Sequence, residues 1–361
     1  MQKTRIEYLD GHRGVAILMV VLFHAYARWS GVVPYGSRYA DLVIVKYGWL
    51  GVNLFFMISG FVILMTLEKC SSAGEFLYRR WLRLFPGMLL CSTLILLTSG
   101  YFTERPAGEV LWKNLLPGLT FTEPLWWREL FHTKVFSLEA AFWSLYVEAK
   151  FYIFAAVIYF WRGRTVLIGA LMLAFLAASL SRIASDSLGL PHLSAVNNIF
   201  DNLSFKHFGW FAAGASFYVY AASRNVAWFA GGLAAALLNS LDRGMLKWGP
   251  TMAAICVSIF FAASIRSAVL QRILRCKPLL FFGFVSYPLY LIHENMMIST
   301  VIKLGHIKNG VIPMYLYPLV PISLLAAAAY VLAKYGEPHA RNWIAQTIGG
   351  LFNKRTIRSR V

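Results

Sequence analysis

The sequence predicts an all-α polytopic membrane protein of about ten transmembrane helices, with both termini cytoplasmic. Three observations predict it. Of 361 residues, 58% are hydrophobic and 14% charged, against the roughly 25% charged of a soluble domain. Mean hydropathy is +0.59, and apolar runs recur from end to end with no polar block long enough for a separate soluble domain. Lysine and arginine gather in alternate connections, which fixes a sidedness.

The runs are read as spans at 13–31, 48–67, 82–101, 142–161, 165–183, 206–222, 226–240, 250–267, 279–300 and 314–334. Lipid supplies no water to backbone N–H and C=O groups, so runs of this length are expected to be helical. The first opens with Lys3 and Arg5 ahead of an apolar stretch and ends near Ala25-Tyr26-Ala27, the outline of a cleaved signal peptide. Arg13 and His24 inside the run, and the many spans that follow, favour a retained helix. The seventh run is short and rich in Gly and Ala. The longest connection, 102–141, carries Trp112, Trp126 and Trp127 and reads as an interfacial or re-entrant segment. Residues 1–340 are expected to form one transmembrane domain and 341–361 a basic cytoplasmic tail.

With the N-terminus inside, the inner connections hold Lys69, Arg79, Arg80 and Arg83, then Arg162 and Arg164, Arg224, and Arg266, Arg272, Arg275 and Lys277. The outer ones mix their bases with acids, as at Glu104, Glu109, Glu123 and Glu129. The net charge of +18 is therefore read as positive-inside anchoring. Aromatic-interleaved basic repeats and zinc-finger spacings are absent, so no nucleic-acid partner is expected. Cys70, Cys91, Cys256 and Cys276 are scattered, without a C-x-x-C pair, and suggest neither a disulfide framework nor a metal site.

Ionisable groups at membrane depth are costly and mark function by default. Arg13 and His24 are eleven residues apart, close to three helical turns, which puts both on one face and roughly 16 Å apart along the axis. The second span runs inward, with Asn53 near its outer end and Ser59 deeper. Glu148 lies about one and a half turns into the fourth, and His293 and Glu294 about fourteen residues up the ninth. His24, Asn53, Glu148 and His293 are thus expected at similar depth, in the outer half. Arg79, Arg80 and Arg83 are expected at the inner mouth of the third span, where guanidinium groups bind phosphate bidentately. The plainer alternatives are a snorkelling anchor at Arg13, a core histidine at His24 and ordinary anchoring by the three arginines. Two functions fit this layout. One is a transporter or exporter of a glycan or anionic metabolite using His and Glu as a proton relay. The other is an enzyme with a phosphorylated donor at the inner mouth and chemistry at the histidine.

Six stretches resemble, in order, the motifs of the membrane acyltransferase 3 family, bacterial enzymes that O-acetylate glycans. "YLDGHRGVAILMVVLFH" is similar to the family's opening motif, whose arginine and histidine fall on Arg13 and His24. "GWLGVNLFFMISGFVI" resembles its second-span motif, "FLYRRWLRLFP" its third-span arginine motif over Arg80 and Arg83, and "FWSLYVEAKFY" its glutamate motif, on Glu148. "VSYPLYLIHENM" puts the family histidine on His293, and "YGEPHARNW" is similar to the closing E-x-P segment.

The resemblance implies a ten-helix acyltransferase of the bacterial inner (cytoplasmic) membrane. It would move acetyl from cytoplasmic acetyl-CoA to a sugar hydroxyl of a surface, secreted or lipid-linked glycan. Arg13, Arg80 and Arg83, with Arg79 as a weaker candidate, would hold the coenzyme A phosphates. His24 would be the base or acyl carrier, and Glu148 would orient it or bind the acceptor hydroxyl. Asn53, Ser59 and His293 would line the substrate pocket. The implied partners are the glycan acceptor and membrane lipid, with acetyl-CoA as co-substrate and no metal; whether a homo-oligomer forms is left open.

The chain departs from the pattern at His12, in place of the usual leucine, at Asn53, in place of aspartate, and at Ala149-Lys150, in place of Glu-Gln. No SGNH-type esterase domain follows the membrane region, so the acceptor is expected to be handled by that region or by a partner. H-x-x-x-x-D and G-x-S-x-G patterns are absent, which argues against glycerolipid acyltransferase and serine-hydrolase chemistry.

Overall fold

The computed structural model describes residues 6–188, 191–242, 247–306 and 313–358. Lys3, Arg5 and the last residues of the basic tail, all of them expected inner charges, lie outside the described residues. Within them every regular element is helical. The α-helices of thirteen residues or more are α1 (Glu7–Phe23), α2 (Gly51–Leu67), α3 (Ala73–Thr98), α4 (Trp143–Leu188), α5 (Phe208–Ser223), α6 (Val226–Ser240), α7 (Trp248–Arg266), α8 (Lys277–His306), α9 (Leu319–Val331) and α10 (Glu337–Arg358), with shorter ones at Val43–Lys46, Leu115–Thr120, Pro124–Phe131, Pro191–Asn202 and Ala268–Leu274.

Each of the ten apolar runs falls on helix, with four adjustments. The first ends its α-helical repeat at Phe23 and continues as a wider π turn over His24–Arg28. The third begins earlier, at Ala73, so Arg79, Arg80 and Arg83 stand inside the helix and not at its mouth. The fourth and fifth are the two arms of α4, which turns at Gly163, where φ is 79°, a conformation glycine adopts without steric cost. The expected boundary at 340/341 falls within α10. Five helical runs are long and apolar enough to cross a membrane: Gly48–Leu67, Ala73–Thr98, Ala140–Ser187, Trp248–Arg266 and Met314–Thr347. Helices α1 and α8, with ionisable residues in mid-helix, are not among them.

The chain forms two compact units. Unit 1 comprises residues 1–28, 37–76 and 144–283, and unit 2 residues 29–36, 77–143 and 284–361. In unit 1, α2 packs against α1 and α5, and α5 against α6. The packing is aromatic: Phe61, Phe208 and Phe217 are almost wholly buried, and Phe151 stacks on Phe211 at 3.9 Å between centroids. Lipid is as apolar as leucine, so such helices are held by close packing and hydrogen bonds more than by the hydrophobic effect. Gly11 and Gly14 show this, since a Cβ at either would collide with the backbone of Leu274 or Leu279. Hydroxyls are satisfied locally: Thr66 donates to Val62 O (2.7 Å) and Ser258 to Ala254 O (2.8 Å). Val157, Trp161, Leu173 and Leu324 stand exposed, a costly face in water and a matched one in lipid.

Candidate functional site

In unit 1, His24 is the first residue of the π turn and is partly buried. Its ring Nδ1 lies 2.9 Å from Val20 O, and its backbone N–H donates to the same carbonyl and to Val21 O. A carbonyl oxygen only accepts, so Nδ1 donates to it, and in the neutral ring the lone pair then sits on Nε2. The ring is thereby folded back on its own helix with its basic nitrogen defined. The three-turn arithmetic from Arg13 holds as far as Phe23; His24 opens the wider turn, as π segments often do at functional positions.

Arg13 donates from Nη1 to Asp10 Oδ1 at 2.7 Å, one turn back on α1. Asp10 is buried, so this partner aims the guanidinium. Asn53 is buried near the start of α2. Ser59 of α2 donates to Glu148 Oε1 of α4. Tyr152, one turn further on, donates its hydroxyl to the same oxygen at 2.5 Å. Two donors on Oε1 fix the carboxylate plane and leave Oε2 the more basic face. Lys150 donates to Asn202 O (2.6 Å) and Ser204 Oγ (3.0 Å), so this departure from the motif fastens the segment that precedes α5. His12 is fully buried, with Nε2 at 2.7 Å from Ser264 Oγ. That hydroxyl donates to Phe261 O, so the His12 ring donates to Ser264.

In unit 2, His293 is fully buried on α8 and repeats the arrangement of His24: Nδ1 donates to Tyr290 O at 2.9 Å. Tyr290 in turn donates its hydroxyl to Ala141 O at 2.8 Å. Glu294 accepts from the indole N–H of Trp29 (3.2 Å) and from Ala141 N (2.9 Å). A buried network lies alongside. Arg105 pairs with Glu139 at 3.4 Å, Glu139 accepts from Asn295 N at 3.0 Å, and Asn295 Oδ1 accepts from Ala107 N at 2.9 Å. Burial and the facing Glu294 carboxylate push Glu139 up to about 8, against the pull of Arg105. Arg79 and Arg83 are exposed on α3 and Arg80 is partly buried.

Of the expected residues, the structure joins Ser59 to Glu148 by a hydrogen bond. It places Arg13, His24 and Asn53 in the same unit as that pair, and Arg79, Arg80, Arg83 and His293 in the other unit. Sequence reasoning missed Asp10, Tyr152 and the Arg105–Glu139–Asn295 network. The first two carried a signal, at i−3 from Arg13 and i+4 from Glu148. The third did not, because its members are far apart in sequence.

A family model described as "Acyltransferase domain" matches residues 6–334, nearly the whole chain. The chain belongs to the acyltransferase 3 family. Among its relatives, a Staphylococcus aureus (strain COL) protein named "Putative O-acetyltransferase" is 27% identical over 161 residues, 42% of this chain and 24% of the relative. The protein named "O-acetyltransferase OatA" of Staphylococcus aureus (strain NCTC 8325 / PS 47) is 27% identical over 156 residues, 40% of this chain and 23% of the relative. The chain thus spans about a quarter of the length of the curated relatives it matches. No solved structure matches it.

Proposed function

We propose that this acyltransferase moves an acetyl group from cytoplasmic acetyl-CoA to a sugar hydroxyl of a surface, secreted or lipid-linked glycan. On this reading it works from the bacterial inner membrane as a polytopic bundle of about ten spans with both termini inside. The observation that carries the reading is the His24 ring, tethered through Nδ1 to Val20 O with the lone pair on Nε2, at the position of the family histidine. Such a nitrogen can take a proton from an acceptor hydroxyl as its oxygen attacks the thioester carbonyl. The tetrahedral intermediate then collapses, the carbon–sulfur bond breaks, and the proton leaves with the coenzyme A thiol. Alternatively, Nε2 attacks the thioester carbonyl, the carbon–sulfur bond breaks and coenzyme A leaves as the thiolate; the acceptor hydroxyl then attacks the acyl-imidazolium, its proton passes to the thiolate or to solvent, and Nε2 is freed.

In both routes Glu148, held on Oε1 by Ser59 and Tyr152, offers Oε2 to the imidazolium or to the acceptor hydroxyl. Arg13, Arg80 and Arg83, with Arg79 beside them on α3, bind the donor phosphates. Asn53, Ser59 and His293 belong to the pocket. The relatives' names support the acetyl group and the ester product.

The test is purified protein in liposomes with labelled acetyl-CoA and candidate glycans. The wild type should release coenzyme A and form an ester. His24→Ala should lose about 10²–10⁴-fold, the usual contribution of a positioned base. Full activity in His24→Ala would remove the assigned role. Glycan flux without coenzyme A release would replace the enzyme with a transporter. Label retained on the protein after donor alone would select the acyl-imidazole route.

A further inference from the structure

The closing segment of the chain places a second set of charges against the arginine motif of α3. Tyr287 of α8 donates its hydroxyl to Leu84 O at 2.7 Å, which ties α8 to α3 one residue past Arg83. Gly87, one turn beyond Arg83, is where Glu337 of α10 comes closest. A Cβ on Gly87 would stand 2.6 Å from Tyr287 Cε1 and 2.7 Å from Glu337 Oε1. Glycine is required there by that approach alone. Arg341 follows Glu337 by one turn on α10, and Arg80 and Arg83 precede Gly87 by two turns and one, so on each helix these residues share a face.

The Glu337 carboxylate is acted on by the charges of Arg341 and Arg83. Neither guanidinium closes an ion pair with it among the described residues, and there Glu337 Oε1 and Arg341 Nε are buried without a hydrogen-bond partner. Arg80, one turn before Arg83, shares its face of α3, so three guanidinium groups and one carboxylate stand on these two helices. These four side chains sum to a net charge of +2. Glu337 and Arg341 lie past residue 334, where the family match ends, within the stretch that resembles the closing E-x-P segment.

We infer that Arg341 joins Arg80 and Arg83 in a binding site for a phosphate monoester. A phosphate monoester carries about −1.5 to −2 at pH 7 and so matches the cluster, whereas each phosphate of a pyrophosphate diester carries a single charge. Guanidinium groups offer it paired N–H donors. The inference rests on the donor reading above and names the part of the donor held here, the monoester on its ribose.

Two measurements on the full-length protein in detergent test it. In the first, binding of adenosine 3′,5′-bisphosphate is followed calorimetrically, which requires no chemistry. The wild type should bind, Arg341→Gln should bind at least tenfold more weakly, and Arg341→Lys should fall between them because it keeps the charge and loses the fork. In the second, KM is compared for acetyl-CoA and acetyl-dephospho-CoA. The wild type should prefer the phosphorylated donor, and Arg341→Gln should lose that preference through KM with kcat little changed. Unaltered bisphosphate binding in a folded Arg341→Gln protein, or in Arg341→Lys should the Gln variant not fold, overturns the inference. Bisphosphate binding that depends on Arg341 in a protein that turns over neither thioester keeps the site and removes the donor reading instead.

Discussion

His24 and His293 meet the same requirement in the same way. Each ring places its Nδ1 against a backbone carbonyl of its own chain segment, Val20 O or Tyr290 O at 2.9 Å. Glu148 is handled differently, through two hydroxyls on one oxygen. A hydrogen bond to a charged group is worth about 1.5–3 kcal/mol, and 1.36 kcal/mol is tenfold in rate. Tyr152→Phe and Ser59→Ala should therefore each lower kcat about tenfold with little change in donor KM. The double variant should lose less than the product of the two, because both act on Glu148 Oε1. Steady-state kinetics of the four proteins decide this, and strict multiplicativity would show that the two hydroxyls act independently. At this scale the sequence exposed Arg13, His24, Asn53, Ser59, Glu148 and His293, because a polar residue in an apolar run stands out. Tyr152 was passed over despite its i+4 spacing from Glu148, since an aromatic residue in a membrane helix looks like packing until its hydroxyl has a partner.

The connection between α3 and α4 is the element that sequence reading resolved least. Its tryptophans suggested an interfacial segment, and Trp112 and Trp126 are indeed exposed. Its other end is buried against α8 through Arg105, Glu139 and Asn295, a convergence of residues up to 190 positions apart. Periodicity is a local signal; it found every apolar helix but put the start of α3 nine residues late and missed α10, and it had no means of pairing Glu139 with Asn295. The His24 turn was hidden for the same reason, because nothing in the apolar pattern distinguishes a π turn from an α turn. The Glu139 carboxyl gives the connection a pH dependence. Its folded pKa, about 8, is raised from 4.5, so its contribution to stability is fully present below about pH 4.5 and is lost as pH rises through 8. The wild-type melting temperature should fall across this window by more than that of Glu139→Gln, whose neutral amide does not titrate. Parallel curves for the two proteins from pH 5 to pH 9 would show that Glu139 is ionised in the fold throughout.

At the scale of the whole molecule, charge is what converts a set of helices into a sided protein. The same net +18 that would disperse a soluble chain is placed mostly in the alternate connections expected inside, where each base resists translocation. Two native cysteines report on that placement without any engineering. Cys70, partly buried, follows α2, and Cys276, exposed, precedes α8. Both lie in connections expected on the cytoplasmic side. Thr133, exposed in the 102–141 connection, is expected on the opposite side. A membrane-impermeant maleimide applied to intact spheroplasts should leave Cys70 and Cys276 unlabelled and should label Thr133→Cys. In inverted vesicles the pattern should reverse. Labelling of Cys276 from outside would break the ten-span count between α4 and α8, where the seventh run is shortest. Labelling of Cys70 from outside would invert the N-terminal half, and with it the assignment of the α3 arginines to a cytoplasmic donor.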